Sequence, residues 1–582
     1  MIDLRLYRVT LLPALAAIAV LMFSLGSLPE AKRSRLALPN GFDGGRAAST
    51  ATELARLAPD RRPGSPGNAR IADFVRQRFT AIQGGEVTEQ EFSGAFHGDD
   101  VKMRNVILTL PGQSDRRVAL IAHRDEAAGA GLASSAASTG TLLEIAASFS
   151  GSTHQKTLVF ASTDGGTAAA LGARRFGADY PGHDQLEAVI SLEQPGAAKP
   201  RRPFVVPWSA GSESTAIQLT RSAEAAVRDE IGGSTGKLGV FGQLVQLALP
   251  GGLGEQSVLI DEGLDAVSVS SAGERPLPED ETGPASFSAD TVGEFGRATL
   301  SLILAFDATS EPLEHGPAAY VNVAGNLLPG WSLRLLALAL IAPVLIVAID
   351  AAARVRRRDL ALLQPLAWVL SRAAPFIAAL LTLYLFTLVT ALPSPGFPFD
   401  SRDYAFGWPA GISIAAALAA LAGAAFLARP VPPSKAGVEG ATAALALVSA
   451  ATALLLWLLN PYLALLAVPA IHLWLVPSFQ RVRPRVAAAL AAVALGLVLP
   501  VAALVQLSDR LELGRGIAWN LTLMVSGGHI GPGLMLLLCV LAGCAVATVA
   551  AGAARRRQAT SASEGAGPVD GYANHSPEPA NR

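Results

Sequence analysis

Downstream of Trp331 the chain consists of apolar stretches of about 20 residues joined by short polar links, and this limits what nearly half of it can become. In hydrocarbon, every backbone N–H and C=O must be satisfied within its own segment, so stretches of this length form helices. Seven are delimited by composition: 331–353, 364–391, 408–428, 440–459, 461–477, 485–507 and 532–553. A further apolar run, LLPALAAIAVLMFSLGSL, follows Arg5 and Arg8 near the start. It is long enough to span, and no A-x-A cleavage pattern follows Met22, so residues 1–30 read as an uncleaved transmembrane signal anchor. The basic clusters ARVRRRD, Arg481 to Arg485 and ARRRQ fall on one side when the spans are counted in order. The positive-inside rule then places both termini in the cytoplasm and residues 31–328 outside. The expected plan is an anchor (1–30), an exported domain (31–328), a seven-helix domain (329–556) and a disordered cytoplasmic tail (557–582) rich in Ser, Gly, Pro and Asn. This is a multi-pass protein of the cell membrane with about eight helices, and its first partner is the lipid bilayer.

Composition agrees: 51% of the residues are hydrophobic and only 16% charged. A net charge of −1 argues against a broad nucleic-acid surface, so no nucleic-acid partner is expected. The two cysteines, Cys539 and Cys544, lie in the last apolar stretch, so no disulfide staples residues 31–328. His472 stands inside the fifth stretch, where a neutral histidine bonded to a carbonyl is expected.

Within 31–328, the segment from Arg104 to Gly196 carries four apolar runs: RNVILTLPG, RRVALIAHRDE, KTLVFASTDGG and EAVISLEQPG. A small-residue loop and helix-like segments such as TGTLLEIAASF separate the later ones, which is the pattern of an α/β domain with a largely buried sheet. Functional groups of such sheets gather at the C-terminal ends of the strands. Here those ends carry His123 with Asp125, Asp164 and Glu193.

These motifs resemble those of the co-catalytic zinc exopeptidases, the bacterial aminopeptidases and glutamate carboxypeptidase among them. RRPGSPGN (61–68) is similar to the family's R-x-x-G-S-x-x-N, RNVILTLPG to its N-V-I-A-x-L-P-G strand and IAHRD to its A-H-x-D. LLEIA, TDGG with LGARRF, and GEQSVLIDEGLDAV follow in the family's order. The resemblance spans about residues 45–310 and implies a mixed sheet flanked by helices, to which an all-α multi-pass bundle is appended. The overall plan, one helix, an exported peptidase-like domain and then a helical bundle, resembles the GPI-anchor attachment subunit of GPI transamidase.

In that family two zinc ions share a bridging Asp and a water, and a separate Glu accepts the water's proton. Carried over by position, the resemblance makes His123 a metal ligand and Asp125 the group that orients it. Glu193 falls on another ligand position. The bridging position falls on Ser134, the general-base position on Gly166, the neighbouring ligand on Thr167 and the last His ligand on Gln256. No carboxylate lies between Glu126 and Glu144 or between Asp164 and Asp179, so shifting the register restores nothing. The expected metal site is therefore vestigial, at most His123 and Glu193, with no cofactor, or zinc if the site still binds one. The function expected is a membrane-anchored pseudo-peptidase whose exported domain binds a peptide or a membrane-protein partner without catalysis. The alternative is a metal-dependent membrane aminopeptidase with an altered site.

Overall fold

The structure, a computed structural model, describes residues 4–34, 41–359, 362–428, 437–478 and 486–564. Seven strands form the main sheet: β1 (Glu86–Phe96), β2 (Asp99–Leu110), β3 (Ser114–His123), β4 (Lys156–Thr163), β5 (Leu186–Glu193), β6 (Val205–Val206) and β7 (Ala266–Ser270). Their order is β1-β2-β4-β3-β5-β7-β6. The central strands β4, β3, β5 and β7 are parallel, while β1, β2 and β6 add antiparallel edges. Every residue of β4 and β7 is buried, which is why these strands read as unbroken apolar runs rather than alternating ones.

Helices cover both faces, and the two-residue period of the strands sorts side chains between them. Val118, Leu120 and Ala122 of β3 join one core with the helices Gly44–Leu57, Pro66–Thr80, Ala137–Ser148 and Ala289–Asp307. Ala119 and Ile121 face the other, with Phe176 of Leu171–Asp179 and Val258 and Leu259 of Glu255–Asp261. This is the zinc-exopeptidase-like mixed sheet flanked by helices that the motifs led us to expect.

A short sheet closes the base of the domain. Gly26–Ser27, just after the helix Leu12–Phe23, pairs with Asn326–Pro329, which pairs with Tyr320–Val323. Asn326–Pro329 runs directly into the helix Gly330–Arg357, so the chain leaves one apolar helix and enters the next at the same place.

Among the described residues, six helices are long and apolar enough to cross a membrane, or seven if Leu363–Ser371 and Ala374–Leu388, bent by 49° to each other, make one span. The stretch at 461–477, expected as a span, is shorter than these. That stretch forms a helix of 15 residues, Pro461–Leu475, before Val476–Ser478 tightens into a 3-10 turn. At 1.5 Å per residue it measures about 22 Å. It is packed inside the bundle, with Tyr462, Ile471 and Trp474 almost fully buried. On it, His472 Nε2 lies 2.9 Å from the Leu340 carbonyl, to which it donates, and Nδ1 accepts from the Tyr7 hydroxyl. The last helix, Pro532–Glu564, continues past the expected boundary at 556. The remainder of the expected disordered tail, and the basic cluster Arg481 to Arg485, lie outside the described residues.

Candidate functional site

The R-x-x-G-S-x-x-N motif builds the frame of the site. Ser65 caps the helix Pro66–Thr80 by accepting from the Asn68 amide at 3.1 Å, with Pro66 at the first helical position. This aims the Asn68 side chain at Asp164, to which its Nδ2 donates at 2.6 Å. The buried Arg124 guanidinium donates to the same carboxylate at 2.8 Å and to the carbonyls of Ser162 and Thr163, tying the end of β4 to the end of β3. Arg61, also buried, donates to the Arg124 and Ala130 carbonyls and, at 2.8 Å, to Ser135 Oγ. Asp164 therefore serves the scaffold.

His123 ends β3. Its Nδ1 lies 3.1 Å from the backbone oxygen of Asp125, so this nitrogen carries the proton and donates. The Asp125 carboxylate stands farther off, at 3.7 Å from Nδ1, and is held by the Gly166 amide (2.8 Å), the Thr167 amide (2.9 Å) and Thr167 Oγ1 (2.6 Å). Asp125 thus meets His123 most closely through its backbone carbonyl. Thr167, at a ligand position, points its hydroxyl at Asp125. Burial disfavours the imidazolium, but the carboxylates of Asp125, Glu255 and Glu193 outweigh it and raise the His123 pKa; the same pairing holds Asp125 below the usual carboxylate range. The imidazole also fills the space over Gly166: a Cβ there would overlap the ring.

Glu126, absent from the expected set, occupies the next position. Its carboxylate accepts from Ser134 Oγ and, at 2.8 Å, from Ser135 Oγ. Gly131, at φ 50°, lets it in, because a Cβ at this position would overlap that carboxylate. Ser134 is thus a donor to a carboxylate rather than a ligand. Only its adjacency to Asp125 in HRDE hinted at Glu126, since its partners lie eight and nine residues on, across an irregular loop.

Glu193, at the end of β5, accepts from the Glu255 amide at 2.8 Å and from Ser191 Oγ at 3.2 Å. Glu255, a second residue missing from the expected set, is buried and accepts from Thr163 Oγ1 at 2.5 Å; burial, partly offset by His123, pushes its pKa up to about 7. A charged residue inside the apolar context GLGEQSVLI was the available signal. Gln256 is buried with its Oε1 unpartnered among the described residues, and both Gln256 and Glu193 crowd Gly254 so closely that a Cβ there would overlap them.

His123, Glu126, Gly166, Thr167, Glu193 and Glu255 line a cleft of about 440 Å³ whose roof comes from the other half of the chain. The segment between Ala374–Leu388 and Trp408–Leu427 lays Pro398, Phe399, Asp400, Arg402 and Tyr404 across it. Arg275, near the rim, donates to Asp400 at 2.7 and 3.0 Å and to the carbonyls of Leu511 and Glu512. Burial raises the Asp400 carboxyl, but the hydrogen bonds from Arg275 and Arg402 prevail and hold it low. His529 stacks on Phe397 and bonds the Pro250 carbonyl, and Trp519 of the helix Ile517–Ser526 bonds the Tyr404 carbonyl, so the segment after Val498–Arg510 reaches both the domain and its roof. Trp408 stays exposed.

Residues 105–236 match the sequence model of peptidase family M28. This is a zinc-exopeptidase-like domain. Solved structures similar to the exopeptidase-like domain include a glutaminyl cyclase from an Acidobacteriales bacterium (17% identity over 48% of this chain and 98% of that one, TM-score 0.38). A leucine aminopeptidase precursor from Bacteroides thetaiotaomicron (17%, 47% and 99%, TM-score 0.38) and a Zn-dependent exopeptidase from Parabacteroides distasonis (16%, 46% and 99%, TM-score 0.36) are others. No curated protein matches the chain. In the exopeptidase-like domain, His123, Glu193, Gly166 and Thr167 line one cleft, Thr167 bonded to Asp125, with Ser134 bonded to Glu126 beside it. Among the described residues, no three His, Cys, Asp or Glu side chains are grouped to hold a metal ion.

Proposed function

We propose that this protein is a membrane-anchored pseudo-peptidase: an exported exopeptidase-like domain that binds a peptide, or the extended end of a membrane-protein partner, in its cleft without hydrolysing it. The observation that carries this is steric. The His123 ring occupies the space over Gly166 where a general base would stand, and the Glu126 carboxylate is engaged by Ser134 and Ser135 where a bridging carboxylate would start. Two adjacent divalent ions need several carboxylates to offset their charge. Here the positions expected to bridge and to ligate carry Ser134, Thr167 and Gln256, and no three His, Cys, Asp or Glu side chains among the described residues are grouped around one point, so the donor set does not fit a zinc pair.

What the cleft offers instead is negative charge under a partly apolar roof. Glu126, Glu193, Glu255, Glu279 and Asp403 line it against His123 and Arg402, which suits an amino terminus or a basic side chain. The apolar helices hold the domain at the bilayer, and the basic clusters favour a cytoplasmic placement of both termini. A second reading rests on Glu126: released from the serines, it would join His123 and Glu193 around one metal and support an aminopeptidase with an altered site.

Full-length protein in detergent, titrated with fluorescent peptides bearing free or acetylated amino termini and assayed with aminoacyl-coumarin amides, tests both. Preferential binding of the free amine with no product release is expected. Turnover that disappears in both His123→Ala and Glu126→Gln would replace the proposal with the second reading.

A further inference from the structure

A second cavity, of about 530 Å³, shares no lining residue with the cleft. It lies between the helices Ile217–Ile231 and Val240–Ala248, the stretch just after the first apolar helix, and the hairpin that leads into the second. Four cations line it, Arg33, Arg221, Arg228 and Lys237, against one carboxylate, Glu224. Lys237 pairs with Glu224 at 2.5 Å, and Arg33 reaches Asp229 at 3.7 Å. Arg221 and Arg228 have no ion pair among the described residues, so the cavity keeps unspent positive charge. Leu28, Val205, Trp208, Ile217, Leu238 and Leu247 give it an apolar stretch of wall.

Gln246 adds an independent sign of a missing partner. It is 3% exposed, lines this cavity, and has neither Oε1 nor Nε2 hydrogen-bonded among the described residues. Its neighbour Gln243 is satisfied, with Nε2 donating to the Leu238 carbonyl at 2.9 Å and Oε1 accepting from the Asn322 amide at 2.7 Å. Buried amides are almost always paired, so an orphan facing a cationic cavity marks where a ligand completes the hydrogen bonding.

The position selects the ligand. Helix Val240–Ala248 packs its Val245 and Ala248 against Tyr462 and Leu466 of Pro461–Leu475 and Leu507 of Val498–Arg510. The cavity therefore sits where the chain enters and leaves its apolar helices, at the level of lipid headgroups when those helices span a bilayer. Free cations, an orphan amide and an apolar wall at that depth fit an amphiphile with an anionic head. We infer that this cavity binds the phosphate-bearing headgroup of an anionic lipid, with Arg221 and Arg228 on the phosphate, Gln246 on the headgroup's polar atoms, and the apolar wall against the start of the acyl chains. The site is distinct from the peptide cleft and rests only on the membrane-spanning part of the preceding proposal.

The test uses the full chain reconstituted in nanodiscs, with phosphatidylglycerol, phosphatidylcholine and soluble glycerol 3-phosphate as probes, read by native mass spectrometry and thermal shift. One retained phosphatidylglycerol per chain is expected. Arg221→Ala with Arg228→Ala should weaken it at least about tenfold, the loss of charge-assisted bonds. Gln246→Leu should melt no earlier than wild type without anionic lipid, because it removes an unpaired buried amide, yet bind phosphatidylglycerol about tenfold more weakly. Equal retention of phosphatidylcholine, unchanged binding by the variants, or glycerol 3-phosphate binding as tightly as the lipid would overturn the inference. A chain washed off membranes by alkaline carbonate would overturn the spanning reading and this site with it, whereas a chain that stays but shows no headgroup preference overturns the site alone.

Discussion

Replacing Arg275 with alanine should lift the roof off the cleft while leaving both halves of the protein folded. The guanidinium is 9% exposed and makes two bonds to Asp400, at 2.7 and 3.0 Å, plus bonds to the Leu511 and Glu512 carbonyls at 3.1 and 3.0 Å. Removing one member of a buried ion pair costs about 3–5 kcal/mol, mostly through the charge left behind. Asp400 keeps Arg402, bonded at 2.6 and 3.0 Å on the exposed side, so the lower end, about 3 kcal/mol, applies. At about 1.4 kcal/mol per decade, the roof segment should open about a hundredfold more often. Hydrogen exchange resolved to peptides covering 393–407 reads this directly. Faster exchange confined to that segment and to 511–514 is expected. Unchanged exchange there, or an equal rise throughout β3 and β4, would refute the reasoning.

Gly166→Glu, which puts back the expected general base, should fail to restore hydrolysis and should destabilise the domain by about 1–3 kcal/mol through overpacking against His123, measured by urea denaturation. Ser134→Asp places a second carboxylate against Glu126; a loss of about 1–3 kcal/mol at neutral pH, shrinking as the pH is lowered and one carboxyl takes a proton, should appear in melting curves. Glu274 is buried, and burial raises its carboxyl above the ordinary value of 4.5 despite Arg510 at 3.4 Å and a bond from Trp208 Nε1. Its folded pKa exceeds its unfolded one, so its contribution to stability is full below about pH 4.5 and is lost as the pH rises through the folded value. Glu274→Gln, which keeps an acceptor for Trp208, should flatten the stability profile over that window.

The parallel core of the sheet could be read from the chain because its strands are buried on both faces. RRVALIAHRDE, KTLVFASTDGG and EAVISLEQPG became β3, β4 and β5, ending at His123, Thr163 and Glu193. The order of the strands could not be read: β2 and β3 are joined by a short turn, yet β4 lies between them, a choice made by pairing partners distant in sequence. The short helix at 461–477 could not be read from hydropathy, which counts apolar residues and not helical length; the 3-10 turn at Val476–Ser478 ends it. In the site, the substituted positions Ser134, Gly166, Thr167 and Gln256 were visible as residue types. What fills the vacated space was not, since Glu126 reaches Ser134 through a loop whose path depends on Gly131, and the His123 ring settles over Gly166 only in three dimensions. The roof could not be read from the chain, because its anchor, Arg275 on Asp400, joins residues 125 apart.

The central claim, that the cleft no longer works through a zinc pair, is tested most directly by counting metal. Full-length protein, purified in detergent without chelators, is offered excess zinc at neutral pH, desalted, and analysed by inductively coupled plasma mass spectrometry beside His123→Ala and Glu126→Gln. Less than about 0.1 zinc per chain, the same in all three, with no change in melting temperature, is the predicted result. One or two tightly held zincs in the wild type, lost in His123→Ala, would contradict it.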